Sequence, residues 1–331
     1  MRERVTMADV ARAAGVSSAT VSYVLSGKRP VNPETRAAVE AAITKLGFTV
    51  NATARSLRTG RSSLVALIVP DIANPFYAQL AATLQENLRS LGLHVVVCNT
   101  RARRDEEQAL LTEAVQQRFA GVVITPFRLK PQDFQPLVEA GMPIVVSADV
   151  SFGALDLVTP DARTATRQAL ERVAAAQRRR IAMIAGPRDA TGGDPRLELL
   201  RSLALQFGMA LPHELVVRGE HTREAGAAGF AQLMSRRYRP DAVFCGNDVI
   251  AVGALEKAHE LGVEIPGDVA LIGHDDASFA SLVRPQLTTI RYSALEVGRA
   301  AARLLTERLN GGRDVHKTVH VKAEFVARAS A

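Results

Sequence analysis

The sequence predicts an α/β protein in which an all-α helix-turn-helix head precedes a two-lobed, doubly wound α/β body. The 331 residues are 47% hydrophobic, which suffices for two or three domains of roughly 100–200 residues each. Residues 1–61 carry ten Lys/Arg and four Asp/Glu, while the remaining 270 carry 31 and 30. From residue 64 onward, short apolar runs alternate with amphipathic segments. The expected domains are a helix-turn-helix at 1–50, a hinge or linker at 51–61 and the body at 62–331.

A basic head on a nearly neutral body is typical of a nucleic-acid binder with a second, unrelated function. The first ten residues, MRERVTMADV, contain no apolar core of an export signal, and nowhere do eighteen apolar residues run together. We therefore expect a cytoplasmic protein, associated with the nucleoid, that has no membrane span. Cys98 and Cys245 lie in apolar runs without metal-ligand spacing, so we expect buried, reduced thiols and no metal site.

The first two helices of the head are predicted from their capping residues. Thr6 and Asp9 match a capping box, and Gly15 ends the helix that follows. Ser17 is placed to cap a second helix over 18–26. The spacing of three apolar side chains on this helix predicts an inward stripe of Val21, Val24 and Leu25. The opposite face is small and polar, and consists of Ser18, Ala19, Ser22 and Tyr23.

A third helix begins at Asn32-Pro33, which supplies a cap and a first-turn proline, and ends at Gly47. Its apolar residues complete a small core: Val39, Ile43 and Leu46. Two helices joined by a tight glycine turn, with a short polar outer face, indicate a helix-turn-helix that reads DNA. An ordinary three-helix surface subdomain is the alternative.

The segment NATARSLRTG, residues 51–60, favours a helix of only two turns. Helices shorter than about 12 residues are marginal in water, so we expect it to become helical only when something packs on it. Leu57 is then either a linker leucine that packs on the body or an apolar wedge for the DNA minor groove, with the arginines on phosphates.

The run VTMADVARAAGVSSATVSYVLSG…VNPETRAAVEAAITKLGFTVNATARSL closely resembles the LacI (lactose repressor) family. The resemblance implies a dimer that reads a near-palindromic operator, with the second helix in the major groove and a hinge leucine inserted at the central base step. It implies backbone contacts from Thr6 and Met7, base contacts from Ser18, Ala19 and Tyr23, and phosphate contacts from Ser17, Thr20 and Ser22. The implied hinge contacts are Asn51, Ala54 and Leu57, and we place Arg58 on phosphate beside them.

Two of these residues affect operator specificity. Many members of the family have arginine where this chain has Tyr23. An arginine pairs bidentately with guanine, whereas tyrosine offers one hydroxyl and a ring edge, so the preferred base should differ here. Ala19 offers only a methyl contact.

The body is predicted from eight apolar runs: LVALIV, HVVVC, GVVIT, PIVVS, IAMIAG, ELVVRG, DAVFCGN and VALIGHD. Strands that are apolar throughout and are separated by helices indicate parallel sheets buried on both faces. Two such series of roughly 100 residues each predict two doubly wound lobes. Ligands of such sheets bind at the carboxyl ends of the strands, so a cleft between the lobes is the expected site.

Polar and aromatic residues follow the predicted strand ends: Asp71, Phe76, Tyr77, Asp149, Arg196, Asn247 and Asp275. Taken singly, each polar residue is more often a helix cap or a surface charge. Together, an arginine fork, an amide and carboxylates around an aromatic ring suit a polyhydroxylated ligand. We expect a non-covalent small-molecule effector, a sugar, and no cofactor; a nucleoside or another non-sugar effector stays open.

The body also resembles the periplasmic-binding-protein-like sensor of the LacI family. This resemblance implies sugar contacts from Arg196, Asn247 and Asp275, with Phe76, Tyr77 and Asp149 as lining. His221 lies where relatives often place an aromatic lid. The family commonly continues from this arginine as R-x-x-G-F, whereas this chain continues with LELL.

An exported sugar-binding protein would suit the body alone, but it would carry a signal peptide and no basic head. For an enzyme, the sequence has no phosphate loop, no H-E-x-x-H, no G-x-S-x-G and no strand-linked G-x-G-x-x-G. We therefore expect a transcriptional regulator, a repressor whose operator affinity is set by the effector. Whether the effector releases or recruits the DNA stays open.

A homodimer is expected because one helix-turn-helix reads about half of an operator. The segment VKAEFVARASA, residues 321–331, is strand-like and has no leucine heptads, which favours a dimer over a tetramer.

Overall fold

The computed structural model describes residues 5–26, 29–48, 62–188, 193–311 and 315–331. The chain divides into two compact units, Met1–Ser62 and Ser63–Ala331, which we call the head and the body. The mixed α/β fold predicted from the sequence is present, with a helical head and a body of two sheets.

The head is a bundle of helices α1 (Met7–Ala14), α2 (Ser18–Ser26) and α3 (Pro33–Leu46). Val10, Val21 and Val39 form the fully buried centre of its core. Leu25 was expected in the inward stripe of α2, and this was wrong because it is 36% exposed. Successive helical residues are about 100° apart around the helix axis. Val21 and Val24 point to the core, and Leu25 therefore lies at the margin of the buried face.

The predicted caps of the first two helices are confirmed. Thr6 Oγ1 accepts from the Asp9 backbone N–H, and Asp9 Oδ2 accepts from the Thr6 N–H at 2.9 Å, which completes the capping box. Gly15 ends α1 in the left-handed region at φ 66°, where glycine carries no Cβ penalty. Ser17 Oγ accepts from the Thr20 N–H at 3.1 Å at the start of α2.

Helix α3 begins and ends as predicted. Asn32 Oδ1 accepts from the Glu34 N–H at 3.0 Å, Pro33 occupies the first turn, and Gly47 ends the helix. Ile43 and Leu46 are half-buried and pack on the core around Val39.

The body contains two six-stranded sheets, which define a first and a second lobe. The first sheet has the order β11-β5-β4-β3-β1-β2 and is parallel throughout. Its strands are β1 (Leu64–Val69), β2 (His94–Asn99), β3 (Gly121–Ile124), β4 (Ile144–Ser147), β5 (Asp156–Asp161) and β11 (Thr318–Lys322).

The second sheet has the order β12-β10-β9-β8-β6-β7, and only β12 is antiparallel to its neighbour. Its strands are β6 (Ile181–Ala185), β7 (Val216–Arg218), β8 (Ala242–Cys245), β9 (Ala270–His274), β10 (Thr288–Arg291) and β12 (Glu324–Val326). All eight apolar runs form strands. Strands β5, β10 and most of β11 were not predicted, because DLVTPD, TTIR and TVHVK contain too few apolar residues to stand out.

Helices cover both faces of each sheet, as the parallel pattern predicts. The first lobe carries α4 (Pro75–Arg89), α5 (Arg104–Gln116), α6 (Gln135–Glu139) and α11 (Ala294–Leu309). The second carries α7 (Arg163–Ala175), α8 (Pro195–Ala204), α9 (Arg223–Met234) and α10 (Asp248–Glu260). Short 3₁₀ turns lie at Pro131–Phe134, Leu205–Phe207, His213–Leu215 and Ser278–Ser281.

In the described part of the body, the chain passes between the lobes after β5, after β10 and between β11 and β12. Four charged side chains meet near these crossings, and we call them the crossover cluster: Asp276, Arg291, Glu324 and Arg328. Arg291 donates to Asp276 Oδ2 at 2.8 Å and to Glu324 Oε2 at 2.9 Å. Arg328 Nη2 lies 2.6 Å from Asp276 Oδ1.

Both cysteines are free thiols. Cys245 is buried as predicted, and burial raises the pKa of its thiol. Cys98 was expected to be buried but is only half-buried, because β2 is the edge strand of the first sheet. None of the helices among the described residues is both long enough and apolar enough to span a membrane.

Candidate functional site

The outer face of α2 is the candidate DNA-reading surface. Ser18 and Ala19 are exposed, whereas Ser22 and Tyr23 are half-buried. The guanidinium of Arg29 lies 5.1 Å from the centre of the Tyr23 ring, a cation–π contact. The sequence reasoning did not find Arg29. This contact places a positive charge beside the residue that departs from the family pattern.

The remaining DNA-contact predictions divide between described and undescribed residues. Ser17 is exposed and Thr20 is half-buried, and their hydroxyls lie 2.9 Å apart. Thr6 Oγ1 donates to Asp9 Oδ2 at 2.6 Å, so its hydroxyl hydrogen is engaged within the cap. Met7 is half-buried in the first turn of α1. Four predicted hinge contacts lie outside the described residues: Asn51, Ala54, Leu57 and Arg58.

All eight predicted effector residues line one cavity of about 490 Å³ between the lobes: Asp71, Phe76, Tyr77, Asp149, Arg196, His221, Asn247 and Asp275. Each follows the carboxyl end of a strand. In the first lobe the contributing strands are β1 and β4, and in the second they are β6, β7, β8 and β9. Ligand sites of parallel sheets form at the carboxyl ends of the strands. Here this edge brings together residues that are separated by up to 204 positions in the chain.

Arg196 is the central cation of the cleft and joins the two lobes. It lies in the first turn of α8, where Nε donates to Asp149 Oδ2 of the first lobe at 3.3 Å. Nη1 donates to the Gly246 carbonyl at 2.6 Å. Burial works against its charge, but Asp149 and Asp275 outweigh burial and raise the pKa of the guanidinium. Arg196 is therefore a fixed donor fork in the cleft wall.

Asp275 is presented on a strained turn just after β9. Its φ is 106° and that of Asp276 is 56°, a region costly for residues other than glycine. Its carboxylate lies 3.1 Å from His274 Nδ1, and the Asn74 amide donates to it from the first lobe at 3.4 Å. Burial would raise the pKa of Asp275, but His274 and Arg196 lower it below its usual value. Asp275 is thus a carboxylate acceptor facing the ligand space.

Aromatic rings form part of the cleft wall. Phe76 stacks on Tyr292, with centroids 5.7 Å apart and planes at 14°, and meets Tyr77 edge-on at 5.2 Å. Across the cleft, Phe127 of the first lobe meets His221 of the second edge-on at 5.3 Å. Burial, with the charge of Arg196, lowers the pKa of His221 to about 4. His221 is therefore neutral at neutral pH and acts as an aromatic surface.

Glu107 is a fully buried carboxylate that fixes the loop carrying Phe127. Its oxygens accept from the backbone N–H groups of Phe127 at 2.8 Å and Arg128 at 3.0 Å. Burial raises the pKa of Glu107 in spite of these hydrogen bonds. Arg128 in turn donates to the Arg188 carbonyl of the second lobe at 3.2 Å. Polar and aromatic contacts thus hold the two lobes together across the cleft.

Sequence reasoning missed several residues of the cavity wall, among them Asn74, Phe127, Ser147, Asp194 and Tyr292. Phe127 follows the run GVVIT and Ser147 ends the run PIVVS, so a strand-end rule that includes the last strand residue would have found both. Tyr292 follows the unpredicted strand β10. Its buried Oη faces Ser147 but completes no hydrogen bond among the described residues. An unpaired buried hydroxyl is costly, which marks Tyr292 as a group that a ligand would satisfy.

Comparison with known proteins assigns a family to each part of the chain. Residues 6–51 match the family described as bacterial regulatory proteins, lacI family, and residues 170–331 match the periplasmic binding protein-like domain. The chain is 31% identical over 333 residues to the HTH-type transcriptional repressor PurR of Proteus mirabilis, covering 98% of this chain and 96% of the relative.

Two solved structures are similar over nearly the whole chain. One is the transcriptional regulator CelR in complex with cellobiose, with 32% identity, a TM-score of 0.74 and coverage of 99% of this chain and 100% of that one. The other is the lac repressor dimer bound to operator and the anti-inducer ONPF, with 26% identity, a TM-score of 0.87 and 99% of each chain covered. The predicted resemblance is thereby confirmed: this chain belongs to the lacI family of bacterial regulatory proteins.

Proposed function

We propose that this protein is a sequence-specific transcriptional repressor whose operator affinity is controlled by a sugar bound in the cleft between the lobes. The observation that carries the proposal is that the eight effector residues predicted from the sequence line a single cavity, on a chain whose head belongs to a DNA-binding family. The cavity volume of about 490 Å³ lies in the usual range of small-molecule sites.

The chemistry of the lining favours a neutral polyol. Among the described lining residues, carboxylates outnumber guanidiniums, with Asp71, Asp149, Asp194, Glu220 and Asp275 against Arg101 and Arg196. Sugar hydroxyls donate to carboxylates and accept from a guanidinium, so one ligand satisfies both kinds of group. An anionic ligand would meet the repulsion of the acids. The similar CelR chain in complex with cellobiose supports the same class of ligand.

Asn247 is a predicted contact whose side chain also caps a helix. Its Oδ1 accepts from the Ile250 N–H at 2.9 Å and caps α10. The side-chain amide N–H groups, which are donors, are the atoms we assign to a sugar hydroxyl. Asn247 then fixes the helix and the ligand with different atoms of one amide.

We propose that the protein acts as a homodimer on a near-palindromic operator, since one head covers about half a site. The similar lac repressor structure is described as a dimer bound to operator. The protein then works in the cytoplasm, where its DNA lies, and by binding alone, without catalysis.

Selection of DNA from a random duplex library by the full-length protein tests the DNA half of the proposal. We expect enrichment of one near-palindromic site and a loss of selectivity in the Tyr23→Ala variant. Ser235→Ala, on the exposed end of α9, is the matched control and should select the same site. An absence of any enriched sequence would overturn this half.

A thermal-shift screen of sugars, nucleosides and small acids tests the ligand half. A ligand that binds only the folded protein raises its stability by about 2.7 kcal/mol at 100 times its Kd. We expect a sugar to raise the Tm of the wild type and not that of Arg196→Gln. Stabilisation by a nucleoside or an acid, with none by any sugar, would contradict the assignment.

A further inference from the structure

A second cavity of about 370 Å³ lies on the second lobe and, among the described residues, shares only Asp194 with the lining of the ligand cleft. Residues of α8 and β7 form much of its wall, and its described lining consists of Arg188, Asp194, Leu197, Glu198, Arg201, His213, Val216 and Arg218. Among these residues, three guanidiniums against two carboxylates give a charge balance opposite to that of the described lining of the cleft.

One of the two carboxylates is engaged within the protein. Asp194 caps α8, with Oδ1 accepting from the Leu197 N–H at 3.0 Å, and Oδ2 accepts from Arg218 Nη1 at 2.9 Å. Arg218 Nη1 also donates to the Gly186 carbonyl at 3.1 Å, which fixes its orientation. The other carboxylate, Glu198, is exposed. Arg188 is exposed as well, so the half-buried part of the wall carries Arg201 and Arg218 against Asp194.

Arg201 supplies the observation that points to a ligand. It lies on α8, and its Nε donates to the Leu211 carbonyl at 3.1 Å. Its Nη2 is buried but has no hydrogen-bond partner among the described residues. A buried donor on a charged group is costly to leave unpaired. Two guanidinium nitrogens on one edge match two oxygens of a phosphate or carboxylate, so an oxyanion would satisfy this group.

We propose that this second cavity is a binding site for a small oxyanion, a phosphate or carboxylate group, held by Arg201 together with Arg188 and Arg218. The volume leaves room for a carrier attached to the anionic group, so the source is either a free ion or a small phosphorylated or carboxylated metabolite. This inference is independent of the proposed sugar site, because the described lining residues of the two cavities differ except for Asp194 and their charge balance is opposite.

Calorimetric titration of the full-length protein with inorganic phosphate, a hexose monophosphate and acetate tests the site, in an uncharged buffer at constant chloride. We expect saturable binding of at least one of these at one per chain. Binding of phosphate as tight as that of the hexose monophosphate identifies a free-ion site, and tighter binding of the phosphorylated sugar identifies a metabolite site. Preference for acetate identifies a carboxylate.

Three variants distinguish anion binding in this cavity from anion binding to the basic head. Arg201→Gln removes the buried fork and should weaken binding at least tenfold, a loss of about 1.4 kcal/mol. Glu198→Gln removes an exposed acid from the rim and should tighten binding several-fold. Arg236→Gln, an exposed charge removed from the same lobe, should leave it unchanged.

Three results would overturn the proposal: no saturable binding of any probe, equal weakening by Arg201→Gln and Arg236→Gln, or no tightening in Glu198→Gln. The Tm of each variant without anion reports its folding. Should Arg201→Gln fail to fold, the surface variant Glu198→Gln decides the question alone.

Discussion

Arg196 contributes to both ligand recognition and lobe contact, because one guanidinium touches Asp149 across the cleft and the Gly246 carbonyl within its own lobe. A lysine keeps the charge but has no planar fork, so it cannot make both contacts and also donate to a ligand. We expect Arg196→Lys to weaken effector binding by about 10–100-fold, since hydrogen bonds to charged groups contribute roughly 1.5–3 kcal/mol.

Calorimetry with the sugar found by screening measures this effect. Arg303→Lys, an exposed arginine on α11, is the matched control and should keep the wild-type affinity. Equal affinities of Arg196→Lys and the wild type would remove Arg196 from the ligand site.

Asp248 is a buried carboxylate beneath the cleft, and we expect its ionisation to make the free energy of unfolding depend on pH. Its oxygens accept from the Ala277 N–H and the Thr289 hydroxyl, both at 2.7 Å. Burial, with the nearby charges of Asp275 and Asp276, raises its pKa to about 8. In the unfolded chain the carboxyl ionises near pH 4. Folding therefore takes up a proton between these values, and the free energy of unfolding falls as the pH rises from about 4 to 8.

The Asp248→Asn variant lacks this titration while keeping one acceptor for Ala277 N–H. We expect the wild type to lose stability relative to Asp248→Asn as the pH rises from 5 to 8, by on the order of 1 kcal/mol per pH unit. Urea unfolding at several pH values measures it. Parallel stability curves for the two proteins would show that Asp248 does not titrate in this range.

At the residue scale, the sequence was informative wherever a polar side chain followed an apolar run, as with Asp149, Asn247 and Asp275. It could not reveal contacts between distant segments. Phe127 approaches His221, and the Glu107 carboxylate accepts from the backbone of the Phe127 loop. Both contacts depend on packing that no local sequence pattern encodes. The pairing of Arg29 with Tyr23 is local, but it joins a residue of α2 to one beyond the end of this helix, which helical periodicity does not predict.

At the scale of elements, the turn after β9 connects the cleft to the crossings between the lobes. Asp275 faces the ligand space, and the adjacent Asp276 contacts Arg291 and Arg328 of the crossover cluster. A shift of this turn on ligand binding would therefore move the charges that hold the crossing strands. The two carboxylates are neighbours in sequence but contact different parts of the body.

Removing the Asp276 carboxylate should leave Arg328 without a counter-charge in the crossover cluster and Arg291 with only the exposed Glu324. We expect Asp276→Asn to lower the free energy of unfolding by about 2 kcal/mol, because removing one partner of a partly buried ion pair leaves the other charge uncompensated. Denaturant unfolding measures the change. Glu256→Gln, which breaks the exposed pair with Arg223, is the control and should change stability by less than about 0.5 kcal/mol. Equal effects of the two variants would contradict a special role of the cluster.

The hinge segment at 51–60 gives a prediction that rests on the sequence and the family. A leucine wedge contributes only where two hinge helices meet a specific operator. We expect Leu57→Ala to weaken binding to the selected operator far more than binding to random DNA, by fluorescence anisotropy. Equal losses on both DNAs would favour the alternative, a linker leucine that packs on the body.

Elements with a strong periodic signal were predictable, including the three helices of the head and the eight apolar strands. The unpredicted strands owe their place to tertiary contacts. Asp156 begins β5 although it is a buried acid, because Arg308 donates to its carboxylate at 2.9 Å and the Lys317 N–H donates at 2.8 Å. Strand β10 is completed by its parallel pairing with β9. Such partners are far apart in sequence and are not visible in a local window.

At the scale of the whole molecule, the proposed function makes operator binding and ligand binding two halves of one equilibrium. If the ligand changes operator affinity by some factor, thermodynamic linkage requires the operator to change ligand affinity by the same factor. The sign of the effect is not needed for this equality, so the test applies to an effector that releases DNA and to one that recruits it.

The most direct test is to measure operator affinity with and without the screened sugar, and sugar affinity with and without the selected operator, all on the full-length protein. We predict that both ratios differ from one and are equal within error, and that Arg196→Lys requires more sugar for the same change in operator affinity. Tight binding of the sugar in the cleft with an unchanged operator affinity would contradict the proposed coupling between the two sites.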